Sequence, residues 1–283
     1  MHSLILLMAL ALWAPCLPAS SQTRPNGLSY PWLMQPGEAA ATVAARFPPP
    51  AGCRRVVLAR GSWGEWLRYL PLSPPGTLAR TYSGALKKPA DVVAAVVNID
   101  VGTRDLQQCA DAVIRLRAEY GFSQDPNRIH FQLTTGYNFR FSDYVAGKTF
   151  KVVGEDVTAA RKPVEAPTHA VLARYLVSTF GYAGTLSLRR ELRAVPLATV
   201  QPGDVLIRGG APGHAVLVVD VAEHSTTHKK FMLLAQSYMP AQNIHVLRNV
   251  DEPQLGAWFA VDPNEEVVST PEWDFQRNEL GRF

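Results

Sequence analysis

The chain has 283 residues, and 47% of them are hydrophobic, enough to bury a full core in one large domain or two small ones. Its net charge of +4 is spread along the sequence with no Lys/Arg run that would track a phosphate backbone, which argues against nucleic acid as a partner. No long apolar segment follows the N-terminal one, so the sequence offers no transmembrane anchor.

Arg24 is the first charged residue. Before it run Leu4-Ile5-Leu6-Leu7-Met8-Ala9-Leu10-Ala11-Leu12-Trp13-Ala14 and then the small residues Ala19-Ser20-Ser21. That is the pattern of a cleavable secretory signal over residues 1–21, too short to span a bilayer. The expectation is an exported protein, periplasmic or secreted, with a buried N-terminal helix as the alternative. Cys16 follows Trp13-Ala14-Pro15, a poor context for lipid attachment, which favours soluble export. After cleavage only Cys53 and Cys109 remain, and in an oxidising compartment a disulfide between them is the plain alternative to chemistry at either.

Residues 22–52, punctuated by prolines, read as an irregular N-terminal arm. A short aromatic helix is expected over 61–70, closed by Pro71, then strands near 77–82 and 92–99. The clearest helix spans 106–120, with Asp105 as its cap, Gln108 in the capping-box position and Gly121 at its end; Cys109 falls in its first turn. Residues 122–195 form an insertion containing an aromatic stretch and a helix over 168–180 capped by Thr168. The last third is β-rich, with strands at 204–208, 214–221, 231–238, 244–247 and 257–261, whose short connections favour an antiparallel meander. Residues 53–262 are thus expected to form a single α+β domain in which a cysteine-bearing helix packs on an antiparallel sheet. Residues 263–283 are set apart as a C-terminal tail.

His214 follows the loop Gly209-Gly210-Ala211-Pro212-Gly213 and opens the apolar run 215–219, which would hold its ring rigidly at the mouth of a buried strand. A hairpin turning at Glu223 to His228 would set His214 opposite Gln236 or Ser237. Opposed residues share a sheet face, so Gln236 can fix the imidazole tautomer and leave the other nitrogen for a nucleophile. A thiol near a helix N-terminus and beside an imidazole loses its proton easily. On this reading Cys109 attacks a carbonyl, His214 shuttles the proton, Gln236 orients it, and the Cys109 N–H binds the oxyanion with a side-chain donor from Gln108 or Gln107. The bland alternatives are a cysteine packed as a small hydrophobe and a satisfied core histidine.

Gln108-Cys109 opening a helix, then Gln201-Pro202-Gly203-Asp204-Val205, then Gly213-His214-Ala215-Val216 leading a strand, resembles the CHAP and NlpC-like branch of papain-fold hydrolases. The resemblance covers about residues 105–120 and 200–240. It implies a papain-like core and a Cys–His pair that cleaves amide bonds, commonly in peptidoglycan peptides. The 105 residues between Cys109 and His214 are more than is usual there, so an insertion must be looped out. More broadly, Gln107-Gln108-Cys109-Ala110-Asp111-Ala112 and Leu234-Ala235-Gln236-Ser237-Tyr238-Met239-Pro240-Ala241-Gln242 look like segments of an exported bacterial family of unknown function. The expectation is therefore an envelope cysteine amidohydrolase or peptidase acting on peptidoglycan or an envelope peptide. The alternatives are a non-catalytic binding module of the same fold and a Cys–His acyltransferase.

Trp63, Trp66 and Tyr137 are candidates for the substrate cleft. For Tyr137, Phe139, Phe141 and Tyr144 the alternation fits core packing equally. His224 and His228 have metal-ligand spacing but lie in an expected hairpin loop with no third ligand, so no metal and no cofactor is called for. The 209–213 loop precedes a strand and lacks the Lys-Ser/Thr of a phosphate-binding loop. Nothing in the sequence fixes the oligomeric state.

Overall fold

The computed structural model describes residues 27–33, 41–154 and 156–283; the expected signal segment lies outside them. After helix α1 (Val43–Arg46) come β1 (Cys53–Arg55), α2 (Trp63–Arg68) capped by Ser62, β2 (Val93–Val96) and the long α3 (Cys109–Gln124). The insertion holds the hairpin β3 (His130–Gln132) and β4 (Asn138–Arg140), α4 (Phe141–Val145), and the hairpin β5 (Lys148–Val153) and β6 (Asp156–Arg161). Helices α5 (His169–Phe180) and α6 (Thr185–Glu191) close it, and Thr168 caps α5 as expected. Then follow β7 (Arg193–Ala194), β8 (Val205–Arg208), β9 (His214–His224), β10 (Lys230–Gln236), β11 (His245–Leu247), β12 (Trp258–Val261), β13 (Val267–Thr270), β14 (Trp273–Gln276) and β15 (Leu280–Arg282).

The result is a mixed α+β fold around a nine-stranded sheet in the order β2-β11-β10-β9-β8-β15-β7, with β1 on β9 and β12 on β10. Its neighbouring strands pair antiparallel. Strand β9 is central and covered on both faces, which is why its sequence reads as an unbroken apolar run. Ala215, Leu217 and Val219 face a large cluster containing Ala110, Val113 and Ile114 of α3. Val216 and Val218 face a second cluster with Phe275 and Leu280. Asp220, fully buried in β9, is gripped by Arg55 at 2.6 Å and Arg68 at 2.8 Å, which ties β1 and α2 to the sheet.

Several expectations need correction. Helix α3 begins three residues later than read, because the Asp105 carboxylate accepts from the Ala241 N–H and the Gln108 side chain. Gln108 is the N-cap instead, its own N–H bonding Asp111. Gly121 does not end the helix; a Cβ there would lie 2.9 Å from Ile129, so the glycine admits a close neighbour. No strand forms over 77–82, where only isolated bridges at Arg80 and Thr81 occur. The segment set apart as a tail supplies three strands: β15 is laid between β8 and β7, and β13 and β14 form a hairpin turning at Pro271-Glu272. Cys53 and Cys109 are both free. Cys53 pairs with His224 at one end of β9 while Cys109 lies against Ala215, nine residues or about 30 Å along the strand, far beyond disulfide reach.

Candidate active site

Cys109 is the first residue of α3, and three backbone N–H groups bear on its thiol: those of Ala215, Ala110 and Cys109 itself. They favour thiolate, but burial outweighs them and pushes the thiol pKa up, with the Asp111 carboxylate adding to the rise. The easily ionised thiol expected from a helix N-terminus is therefore not what the fold provides. Asp111 is itself held well above the usual carboxylate range by burial, and its Oδ1 has no hydrogen-bond partner among the described residues.

His214 opens β9, two residues beyond the cis Ala211–Pro212 bond. Gly213 before it has no room for a Cβ, which would fall 2.4 Å from the Gly210 carbonyl and 2.5 Å from Thr185 Oγ1. The imidazole Nε2 lies 2.8 Å from Gln236 Oε1. The pairing comes about diagonally: the β9/β10 register passes through Leu234–Val218 and Ala235–Leu217 after a bulge at Leu233/Leu234, setting Gln236 abreast of Val216. The expected direct opposition fails by that shift, while the shared face survives it. Burial drives the His214 pKa down to about 4, against the opposing pull of the Gln236 bond.

Gln236 Nε2 in turn donates to Glu272 Oε2 at 2.6 Å, and the other Glu272 oxygen accepts from Lys87 Nζ at 2.7 Å. Lys87 and Glu272 have side-chain exposures of only 2% and 9%, so the pair is screened little by water. This chain of bonds has a fixed polarity. A carboxylate accepts only, so Gln236 must turn its NH2 to Glu272 and its carbonyl to His214, whose Nε2 must then carry the proton. Nδ1 is left as the basic nitrogen.

A roof of rings covers the His214–Gln236 bond. Tyr238, Trp273 and Phe275 have ring centres 4.9, 5.3 and 6.0 Å from the imidazole. Burial raises the Tyr238 pKa, and the charges of Glu272 and Cys109 both add to it, so the phenol borders thiol and imidazole alike. His214 follows the strand alternation onto the hairpin side of the sheet, while the sulfur approaches the same strand end from the helix side. Among the described residues no hydrogen bond joins Sγ to the ring, and the ring's bond is to Gln236. His245, abreast of Gln236, is fully buried and donates from Nδ1 to the Asn243 carbonyl, and its Nε2 has no hydrogen-bond partner among the described residues.

Of the residues singled out from sequence, His214 and Gln236 are joined by a hydrogen bond, and Cys109 lies at the same end of β9, against Ala215 on the helix side of the sheet. Gln108 is beside them, but its side-chain amide donates to Asp105, and Gln107 is held by Arg115 and the Asp100 carbonyl. Neither glutamine side chain points a free donor at the thiol, and the donors beside it are the backbone N–H groups of Cys109, Ala110 and Ala215. The proposed cleft aromatics are elsewhere. Trp66 is core, its Nε1 donating to the Ser29 carbonyl. Trp63 stacks on Trp66 and Tyr120 near the far end of α3, and Tyr137 packs on Phe139 and Phe150 in the insertion. His224 accepts from the Thr226 and Thr227 N–H groups and His228 bonds Glu223, both local turn contacts.

Sequence reasoning missed Lys87, Tyr238, Glu272 and Trp273. The signal for the last two was present: Val267-Val268-Ser269-Thr270, with three β-branched residues, a Pro271-Glu272 turn, then Trp273-Asp274-Phe275 in alternation. Lys87 carries no comparable signal.

Among the described residues no helix is long and apolar enough to cross a membrane, and no cluster of His, Cys, Asp and Glu could hold a metal ion. No match is found among curated proteins or among solved structures, so the likeness to papain-fold hydrolases gains no support from a related fold. One family's sequence profile does match, over residues 43–282, taking in every helix and strand from α1 to β15, and on that extent the chain belongs to the family named Domain of unknown function (4846).

Proposed function

We propose that the protein is a cysteine-dependent amidohydrolase or peptidase with Cys109 as nucleophile, His214 as base and Gln236 as orienter, in an arrangement of the papain type. The observation that carries this reading is the fixed polarity of Lys87, Glu272, Gln236 and His214, which leaves a basic Nδ1 at the strand end where the Cys109 thiol meets the Ala215 N–H. Such a chain is more than a satisfied core histidine needs.

Both reacting groups rest neutral, so attack is concerted with proton transfer. The Sγ–H proton passes to Nδ1 as the Sγ–C bond forms, and the carbonyl oxygen takes the charge at the N–H groups of α3's first turn. The imidazolium then protonates the leaving nitrogen as the C–N bond breaks. Water, giving its proton to Nδ1, opens the thioester and restores the thiol. Sulfur and ring must draw together on substrate, a tightening common between free and bound active sites. The apolar stretch 4–14 and the small residues after it support export, and a substrate among peptidoglycan or envelope peptides fits that location.

A binding module of the same fold is the second reading, favoured by one observation: Cys109 is only 8% exposed and stays protonated. Cleavage of purified peptidoglycan peptides, read as new amino groups under reducing conditions, separates the two. Hydrolysis lost in both Cys109→Ala and His214→Ala, with folding retained, is the expected result. Unchanged cleavage in both sinks the mechanism, retained binding without cleavage in any form supports the module, and product formed only with an added amine identifies an acyltransferase.

A further inference from the structure

A second candidate site lies at the other end of α3. A cavity of about 810 Å3 opens there between the start of α2, the turn Gln201-Pro202-Gly203-Asp204 and the C-terminal half of α3 with the residues that follow it. Ligand sites in proteins run from roughly 300 to 1,000 Å3. Tyr120, eleven residues along α3 from Cys109, is about 16 Å further down the axis, so the cavity is separate from the thiol and does not depend on what the thiol does.

One wall is fixed by Trp63, whose Nε1 donates to the Gly203 carbonyl at 3.3 Å. Gly203 has φ of +99°, and a Cβ there would lie 2.4 Å from the indole, so only glycine lets the ring seat. The opposite wall carries Arg117. Its guanidinium carbon stands 5.4 Å from the Trp63 ring centre, 5.7 Å from that of Tyr120 and 4.7 Å from that of Phe283. These rings contact the cation but accept none of its five N–H groups.

Among the described residues Arg117 has neither an ion pair nor a hydrogen-bond acceptor. The contrast with other enclosed arginines is sharp: Arg55 and Arg68 hold Asp220, and Arg115 holds Glu119 and Asp100. Burial lowers the Arg117 pKa, and the charge of Arg128 adds to the lowering against an opposing effect of Tyr120. Arg117 is half-buried with no counterion of its own, so an anion entering the cavity would meet a cation that no carboxylate already holds.

The charge balance sets the size of the anion. Arg282 is spent on Asp204, held at 2.6 and 2.8 Å. Arg117 and Arg128 then face Asp125 and Glu191, and burial pushes Glu191 up to about 7, leaving it partly neutral. The excess is positive but below one full charge, suited to a monoanion more than to a phosphate dianion. We infer that this cavity binds a small organic carboxylate with an aromatic or apolar body, its carboxylate accepting from Arg117 and its body lying against Trp63 and Tyr120.

Calorimetric titration of the folded protein with benzoate, indole-3-acetate and N-acetylphenylalanine, alongside the amide of the last and inorganic phosphate, tests this. At least one carboxylate should saturate and alter tryptophan fluorescence, with N-acetylphenylalaninamide roughly tenfold to a hundredfold weaker than its acid. Arg117→Met should bring the acid to the level of the amide, and Arg117→Lys should retain part of the difference. Equal binding of acid and amide, phosphate binding as well as the carboxylates, unchanged affinity in folded Arg117→Met, or saturation by none of them overturns the inference. The acid and amide comparison uses the unaltered chain, so it stands even where a variant fails to fold.

Discussion

Glu272 determines which nitrogen of His214 carries the proton, although one residue stands between them. Gln236 has a donor end and an acceptor end, and the carboxylate at 2.6 Å claims the donor. Glu272→Gln removes that demand and takes the counterion from buried Lys87. Nitrogen NMR shifts of His214 should report one Nε2–H tautomer in the unaltered protein and a mixture in Glu272→Gln. A single Nε2–H form in both would show that Glu272 does not set it.

The direction of the Cys109 shift governs its reactivity. Because burial raises the thiol pKa, alkylation by iodoacetamide should keep accelerating with pH past the ordinary value of 9.0, with no plateau near neutrality. Peptide mass spectrometry across pH 6 to ~10 measures it. A rate already levelling at pH 7 would mean that the resting thiol is ionised and that the attack is stepwise.

Removing the roof should free the imidazole. In Trp273→Ala the His214 pKa should climb from about 4 toward 6.5, since burial is the main cause of its depression. An NMR titration of the ring follows it. No movement would place the desolvation on Tyr238 and Phe275 instead.

Asp111 makes a stability prediction with a definite sign. Its folded-state pKa is raised above the ordinary 3.8, so folding is penalised at pH values above that and freed of the penalty below it. Asp111→Asn keeps an oxygen for the Gln108 N–H and never ionises. It should melt higher than the unaltered protein at pH 7, and the advantage should vanish as pH falls below about 3.8. A lower melting point at pH 7 would mean that the carboxylate's charge is needed at the start of α3.

Asp220→Ala should be among the most damaging substitutions outside the site. It leaves Arg55 and Arg68 unpaired beside the central strand, a loss of about 3–5 kcal/mol in urea unfolding. A change under ~1 kcal/mol would show that water reaches both guanidinium groups.

The sequence was legible where local rules hold without help. Thr168 and Ser62 cap their helices as residue type demands, and β8 to β12 follow apolar runs bounded by turns. It was less legible where a distant partner decides. Asp105 reads as a cap until the Ala241 N–H claims it, and the β9/β10 bulge shifts a register that counting alone cannot anticipate. The places of Cys109 at a helix start and His214 at a strand start were readable from local pattern, whereas the thiol's raised pKa depends on burial that no local pattern encodes. Lys87 was invisible because its role comes wholly from Glu272, 185 residues away.

The placement of β15 has a consequence in time. The strand lies inside the sheet between β8 and β7, and the hairpin that roofs His214 comes just before it in the chain. A ribosome has therefore built Cys109, His214 and Gln236 long before the last pieces of their surroundings exist. Until β15 is free to pair, the edge of β8 away from β9 is open, and until the hairpin forms the imidazole lacks the cover of Trp273 and Phe275. The order of synthesis thus places the covered imidazole after residues 267–276 have emerged, so a nascent chain stalled before residue 267 carries the thiol and the ring without the setting that tunes them.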